Sequence, residues 1–319
     1  MNHGIHVPPR VHRFFPLMIG LPILFWSFAF PLIQIGLTEG LSWINLTILR
    51  LFLVCIVFIV MLVQRPRRFS KLHRQDIPLI FLLGFTGIII YHLGLNYGEQ
   101  YVSPGAASLI IATIPIYVVI LGALFLKERL TKMMMSSIVI SLGGVIIIST
   151  LGTANATLEI QYLSGAIAVV IAAFVGAVYT IIGKKLLERY SALSLTAYAI
   201  LLGSLSLLPF LGPSLLDQIS SLSFKGWFAV VFLAIFPTVI SYVLWYMALE
   251  IKQASEISVY LYVIPVLSTA ISYFLFQEGV TLMYIFGGIL VILGLYLVNK
   301  DTQRKKKKIV IKDMDQFEN

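Results

Sequence analysis

"PIYVVILGALFLKERLT" (Pro115–Thr131) decides the reading of this chain, because "PVLSTAISYFLFQEGVT" (Pro265–Thr281) repeats its punctuation 150 positions later. In each stretch a proline opens an apolar run that ends at a glutamate, with a threonine three residues further on: Glu128 and Thr131, then Glu278 and Thr281. A proline inside a helix removes a backbone N–H and crowds the carbonyl four residues back, here Ile111 and Leu261. Such a break is tolerated in lipid where neighbouring helices or a watery cavity take up the freed carbonyl.

Lipid is the expected solvent. Of 319 residues, 59% are hydrophobic and 12% charged, with a mean hydropathy of +0.95. Soluble domains run at about 45–50% apolar and roughly 25% charged. About 20 apolar residues cross the ~30 Å hydrocarbon layer as a helix. Ten stretches qualify: 16–38, 43–63, 77–98, 103–126, 133–151, 161–183, 192–211, 224–247, 254–276 and 281–298. They are continuous runs without the alternation of barrel strands, so the expected fold is an all-α integral membrane protein.

The charges set the sides. With the N-terminus in the cytoplasm and the spans alternating, all but two of the 23 lysines and arginines fall on the cytoplasmic face. The exceptions are Arg50, inside the second span, and Lys225, outside. This asymmetry predicts a cell-membrane protein with both termini cytoplasmic. It also accounts for the net charge of +9 without nucleic acid. The cluster Arg304, Lys305, Lys306, Lys307 and Lys308 follows the last span as a topology anchor, attracted to anionic headgroups at about 1 kcal/mol per residue. Cys55 is the single cysteine, so no internal disulfide is expected.

Ten spans divide into two fives. A cytoplasmic segment (1–15) precedes a first repeat (16–151), a second repeat (161–298) and a basic cytoplasmic tail (299–319). Pro115, Glu128, Thr131 and Gly144 meet Pro265, Glu278, Thr281 and Gly294 at the offset of 150. Five is odd, so the second repeat lies inverted in the membrane, an arrangement transporters use to exchange inward and outward opening about a midplane site. Paired prolines near mid-span point to that site, although either one alone also fits a packing kink. Glu128 and Glu278 read as stop-and-turn chemistry, each beside a threonine suited to cap the next helix.

The chain here resembles the drug/metabolite transporter superfamily, and within it the EamA-type transporters. The resemblance rests on the two five-span repeats, on Pro115 followed by "LKERLT" (126–131), and on the altered copy "FQEGVT" (276–281). It covers 16–298, with Gly279 in place of the usual Arg and Phe276 in place of the usual Leu. It implies transport of a small metabolite, often export, and names no solute.

Charge at membrane depth marks function, because inserting it is expensive, at roughly 3 kcal/mol or more. Arg50 lies seven residues into its span and His92 six residues from the end of its own, each ~10 Å deep at about 1.5 Å per residue. Both suit a carboxylate or phosphate, and a snorkelled arginine or a hydrogen-bonded core histidine fits the same sequence. Glu256, at the start of the ninth span, suits proton coupling or a cationic group, or is a solvated end residue. Glu99 and Glu39 fall in outer loops and rank below these. Trp26, Tyr179, Tyr242, Trp245, Tyr260 and Tyr262 lie near mid-span, and an aromatic lining with few charges suits amphipathic or cationic solutes. The substrate-binding set is therefore Trp26, Arg50, His92, Pro115, Tyr179, Tyr242, Trp245, Glu256, Tyr260 and Pro265.

No phosphate-binding loop, HExxH or GxSxG occurs, so neither an enzyme, a cofactor nor a metal is expected. A secondary transporter of a small organic solute by alternating access is the leading reading, with amino acids, nucleoside-like and amphipathic or cationic compounds as candidate solutes. A channel or passive scaffold, and more remotely a lipid enzyme, are the alternatives.

Overall fold

The structure is a computed structural model that describes residues 14–128, 130–151 and 160–276, and then 281–283, 285–294, 296–297 and 300. Glu278 and the Arg304–Lys308 cluster lie outside the described residues. All regular structure among the described residues is helical.

Eight helices are long and apolar enough to cross a membrane. They are α1 (Phe15–Thr38), α2 (Trp43–Gln64), α3 (Arg74–Gly98), α4 (Pro104–Phe125), α6 (Leu163–Leu186), α7 (Ala192–Phe210), α9 (Phe224–Ile251) and α10 (Ala254–Leu275). Two shorter apolar helices, α5 (Lys132–Gly144) and α11 (Ile285–Gly294), overlap the expected fifth and tenth spans. A short exposed helix, α8 (Pro213–Ser221), occupies what read as a loop. It is held to the start of α2, where the Gln218 side-chain oxygen accepts from Ser42 N and Asn45 Nδ2, both at 2.9 Å.

Serine starts many of these helices. The hydroxyls of Ser42, Ser103, Ser191 and Ser223 accept from backbone N–H groups of the first turns of α2, α4, α7 and α9. Such caps satisfy donors that a helix start leaves free. The helix α10 lacks a cap from its own flanking residue, Gln253. Instead Glu128, at the end of α4, accepts from Ala254 N at 2.8 Å and Ser255 N at 3.0 Å. This corrects the local reading of Glu128. Thr131 does cap the helix that follows it, through Met134 N, but the glutamate caps a helix from the other half of the chain.

The packing keeps its form when the halves are exchanged. The helix α3 packs on α6 and α7, as α9 packs on α1 and α2; α4 lies on α6, as α10 lies on α1. Small residues permit the closest approaches, as expected where lipid leaves no hydrophobic drive between helices. A Cβ on Gly144 would lie 2.5 Å from Gly287 O, and one on Gly294 would lie 1.8 Å from Ser141 Oγ. Outward-facing side chains such as Phe52, Val63, Leu124, Phe125 and Phe274 are large, apolar and exposed, the surface that lipid covers.

Four helix defects form two pairs, the first at an offset of 150 and the second close to it. The helices α3 and α9 each widen to a π-helical turn, at Phe85–Ile90 and Ile235–Ile240. The helix α4 breaks between Ile111 and Ile114, and α10 tightens to a 3-10 turn at Val259–Tyr262. The breaks in α4 and α10 precede Pro115 and Pro265, as proline geometry requires. The α9 turn has its own proline: Pro237 has no N–H to give the Leu233 carbonyl, and the Thr238 hydroxyl donates to it instead at 2.7 Å.

At one end of the bundle, carrying Lys127, Lys184 and Lys252 and called here the basic end, one polar contact joins the two halves and others brace the second. There Glu128 caps α10, the Lys184 ammonium donates to the carbonyls of Leu249 and Lys252, and Lys252 pairs with Glu256.

Candidate functional site

Between the halves lies a cavity leaving about 70 Å³ for the centres of water-sized molecules. At roughly 10–15 Å³ per water, that is room for about five to seven. Each defective helix contributes to its wall: Tyr91 and His92 from α3, Ile111 and Ile114 from α4, Tyr242 and Trp245 from α9, Leu261 and Ile264 from α10. Trp26, Arg50 and Tyr179 come from α1, α2 and α6.

The aromatic wall is a connected cluster. The Trp26 ring lies 5.3 Å from Trp245 and 6.0 Å from Tyr242, both edge-on. Tyr242 lies 5.5 Å from Tyr179 and stacks on His92 at 6.1 Å. Tyr179 reaches in because residue 87 is glycine, where a Cβ would stand 2.2 Å from Tyr179 Cβ. The Trp26 indole donates to Pro237 O at 2.9 Å, using a carbonyl at the widened turn.

Arg50 is 2% exposed and does not snorkel. Its Nε donates to Thr238 Oγ1 at 2.9 Å, so the hydroxyl that repairs the Pro237 break also orients the guanidinium. Arg50 makes no ion pair with a carboxylate among the described residues. A buried charge without a counter-ion is costly, and the planar guanidinium fork fits a carboxylate or phosphate. The His92 ring meets Ile88 O through Nδ1 at 2.6 Å. A carbonyl only accepts, so Nδ1 carries the proton and Nε2 is the acceptor of the neutral ring.

Of the ten expected substrate-binding residues, six line this cavity together: Trp26, Arg50, His92, Tyr179, Tyr242 and Trp245. Pro115 and Pro265 stand just behind it, each next to a lining residue, and shape the wall without forming it. Glu256 is paired with Lys252 at the basic end, and Tyr260 is half-buried on α10; neither is among the lining residues. Sequence reasoning passed over Tyr91 and Thr238, although Pro237 marks the turn that Thr238 completes. It also ranked Glu99 low, as a loop acid, whereas the structure buries it to 1% exposure.

Eight apolar helices long enough to cross a bilayer define a multi-pass membrane protein. A sequence model of the EamA-like transporter family matches residues 14–150 and again 163–300. The chain belongs to that family. It is 37% identical over 282 residues to an uncharacterized transporter of Archaeoglobus fulgidus, covering 88% of this chain and 97% of that one. It is 30% identical over 292 residues to a probable terminal-alkyne amino-acid exporter of Streptantibioticus cattleyicolor, covering 90% and 94%. A solved crystal structure shares the fold with a TM-score of 0.69 at 18% identity, covering 91% of this chain and 98% of that one.

Proposed function

We propose that this transporter moves a small organic metabolite by alternating access, as an exporter in the cell membrane, with the solute held between the two halves. Its anionic group meets Arg50, and its body lies against Trp26, Tyr179, Tyr242 and Trp245. The observation that carries this reading is the buried guanidinium, held at one nitrogen by a neutral hydroxyl and without a carboxylate partner among the described residues, in an otherwise aromatic and apolar cavity. The Streptantibioticus relative, named as a probable terminal-alkyne amino-acid exporter, supports a carboxylate-bearing solute.

In this proposal the chain crosses the membrane ten times as two inverted five-helix repeats, with both termini cytoplasmic. The exchange-symmetric packing, the defects at an offset of 150 and the double family match support two related halves. The basic end is then the cytoplasmic gate, closed in this conformation.

The test is counterflow in proteoliposomes loaded in turn with unlabelled neutral amino acids, using the labelled compound outside. Saturable counterflow that fails in Arg50→Met supports the proposal. Flux that rises linearly with concentration indicates a channel, and flux indifferent to Arg50 removes it from the binding site.

A further inference from the structure

The end of the bundle opposite the basic end holds a second cavity, leaving about 380 Å³ for water-sized centres and lined by Gln34, Thr38, Glu99 and residues 100–104. Its buried polar atoms without partners are all acceptors. Both carboxylate oxygens of Glu99 are buried without a hydrogen-bond partner, and so is Gln34 Oε1; Asn96 Oδ1, behind the lining, is orphaned too. Arg50 lies within electrostatic range of Glu99 but forms no ion pair with it. Asn96 and Glu99 are three apart, on one side of the α3 terminus. Leaving such acceptors unsatisfied costs about 1–3 kcal/mol each, and more for a charged group. They call for a partner that only donates and is positive.

The other end of the same fold already contains such a partner. There the Lys184 ammonium donates to the carbonyls of Leu249 and Lys252. The positions 150 residues before those two are Glu99 and Val102, and both line the vestibule. Neither Gln34 nor Gly36, 150 and 148 positions before Lys184, carries a charge. One end thus supplies its own ammonium, while the lining of the matching cavity holds orphaned acceptors and no lysine or arginine.

We propose that this vestibule binds the primary ammonium group of the transported solute, with Glu99 as its counter-charge. The substrate class rests on the transporter reading above; the cation site does not. An ammonium has three donors and no acceptor, matching the orphaned oxygens. Tyr91, Leu95 and Glu99 follow at intervals of four along one face of α3, about 6 Å per step. The first two line the central cavity and the third the vestibule. A zwitterion therefore passes between Arg50 and Glu99 along a continuous face.

The probe is ethylammonium chloride, added to the purified full-length protein in lipid nanodiscs at constant ionic strength, with sodium chloride as the comparison. Ethylammonium should raise the melting temperature saturably. Glu99→Gln should weaken that response at least tenfold, and Glu99→Asp, which keeps the charge, should weaken it less. Glu39→Gln, a half-buried acid bonded to Ser223 at the same end, should leave it unchanged. No response in the wild type, or an equal one in Glu99→Gln, overturns the proposal. So does a Glu99-dependent response to sodium alone, which would assign the site to a metal ion. Counterflow on the same preparations separates the two readings: Glu99-dependent binding without flux upholds the site and sinks the transporter assignment. Flux without such binding sinks the site alone.

Discussion

Replacing Glu128 with alanine should open the basic end of the bundle. The carboxylate accepts two backbone N–H groups at the start of α10, a helix that has no cap of its own. Losing a capping side chain costs about 1 kcal/mol, within a range of roughly 0.5–2. Losing a negative charge at a helix N-terminus adds about 0.3–1 kcal/mol. The closed arrangement therefore loses about 2 kcal/mol relative to one in which α4 and α10 have parted and water satisfies the same groups. At about 1.4 kcal/mol per decade, the minor open population rises roughly 30-fold. The assay places a reporter thiol at Thr180, which lines the cavity, in a Cys55→Ser chain, and measures its modification from the basic side of oriented vesicles. Modification should accelerate by about that factor, and Glu128→Gln, which keeps one acceptor without the charge, should fall between. An unchanged rate refutes the reasoning. An equal acceleration from the opposite side also refutes it, because general loosening would then explain the effect.

Other substitutions probe the cavity. Arg50→Met should raise the half-saturating solute concentration by about 10- to 150-fold, the worth of a charged hydrogen bond at roughly 1.5–3 kcal/mol, without lowering thermal stability, since an unpaired buried charge disappears with it. Thr238→Val strips the hydroxyl from both Leu233 O and Arg50 Nε; it should lower thermal stability and raise half-saturation several-fold, read by melting and counterflow on one preparation. Gly87→Ala forces a methyl to within 2.2 Å of Tyr179 Cβ; it should cut the yield of folded protein, measured by monodisperse elution, more than Gly20→Ala, where nothing lies within 4 Å.

The candidate site was partly visible in the sequence. Trp26, Arg50, His92, Tyr179, Tyr242 and Trp245 could be chosen because polar and aromatic side chains stand out at membrane depth. Pro115 and Pro265 located the breaks correctly along the chain, yet the residues presented to the cavity are Ile111, Ile114, Leu261 and Ile264. A proline distorts the turn before it, so the distortion and the exposed wall precede the residue that causes them. Glu99 was ranked low because it falls just past the 77–98 span, in an outer loop where an acid is expected to meet solvent. The fold instead places it beneath residues 100–104 and the end of α1.

Composition and charge order alone determined the solvent, the placement of the apolar helices and the spacing of the repeated breaks, because these depend on local chemistry summed along the chain. Which side chains meet was decided only by the docking of the halves. Arg50 reaches Thr238 across 188 residues, Trp26 reaches Pro237 across 211, and Glu128 reaches Ala254 across 126. No local pattern encodes such pairings: each exists only once two helices from opposite halves have been brought within hydrogen-bonding distance.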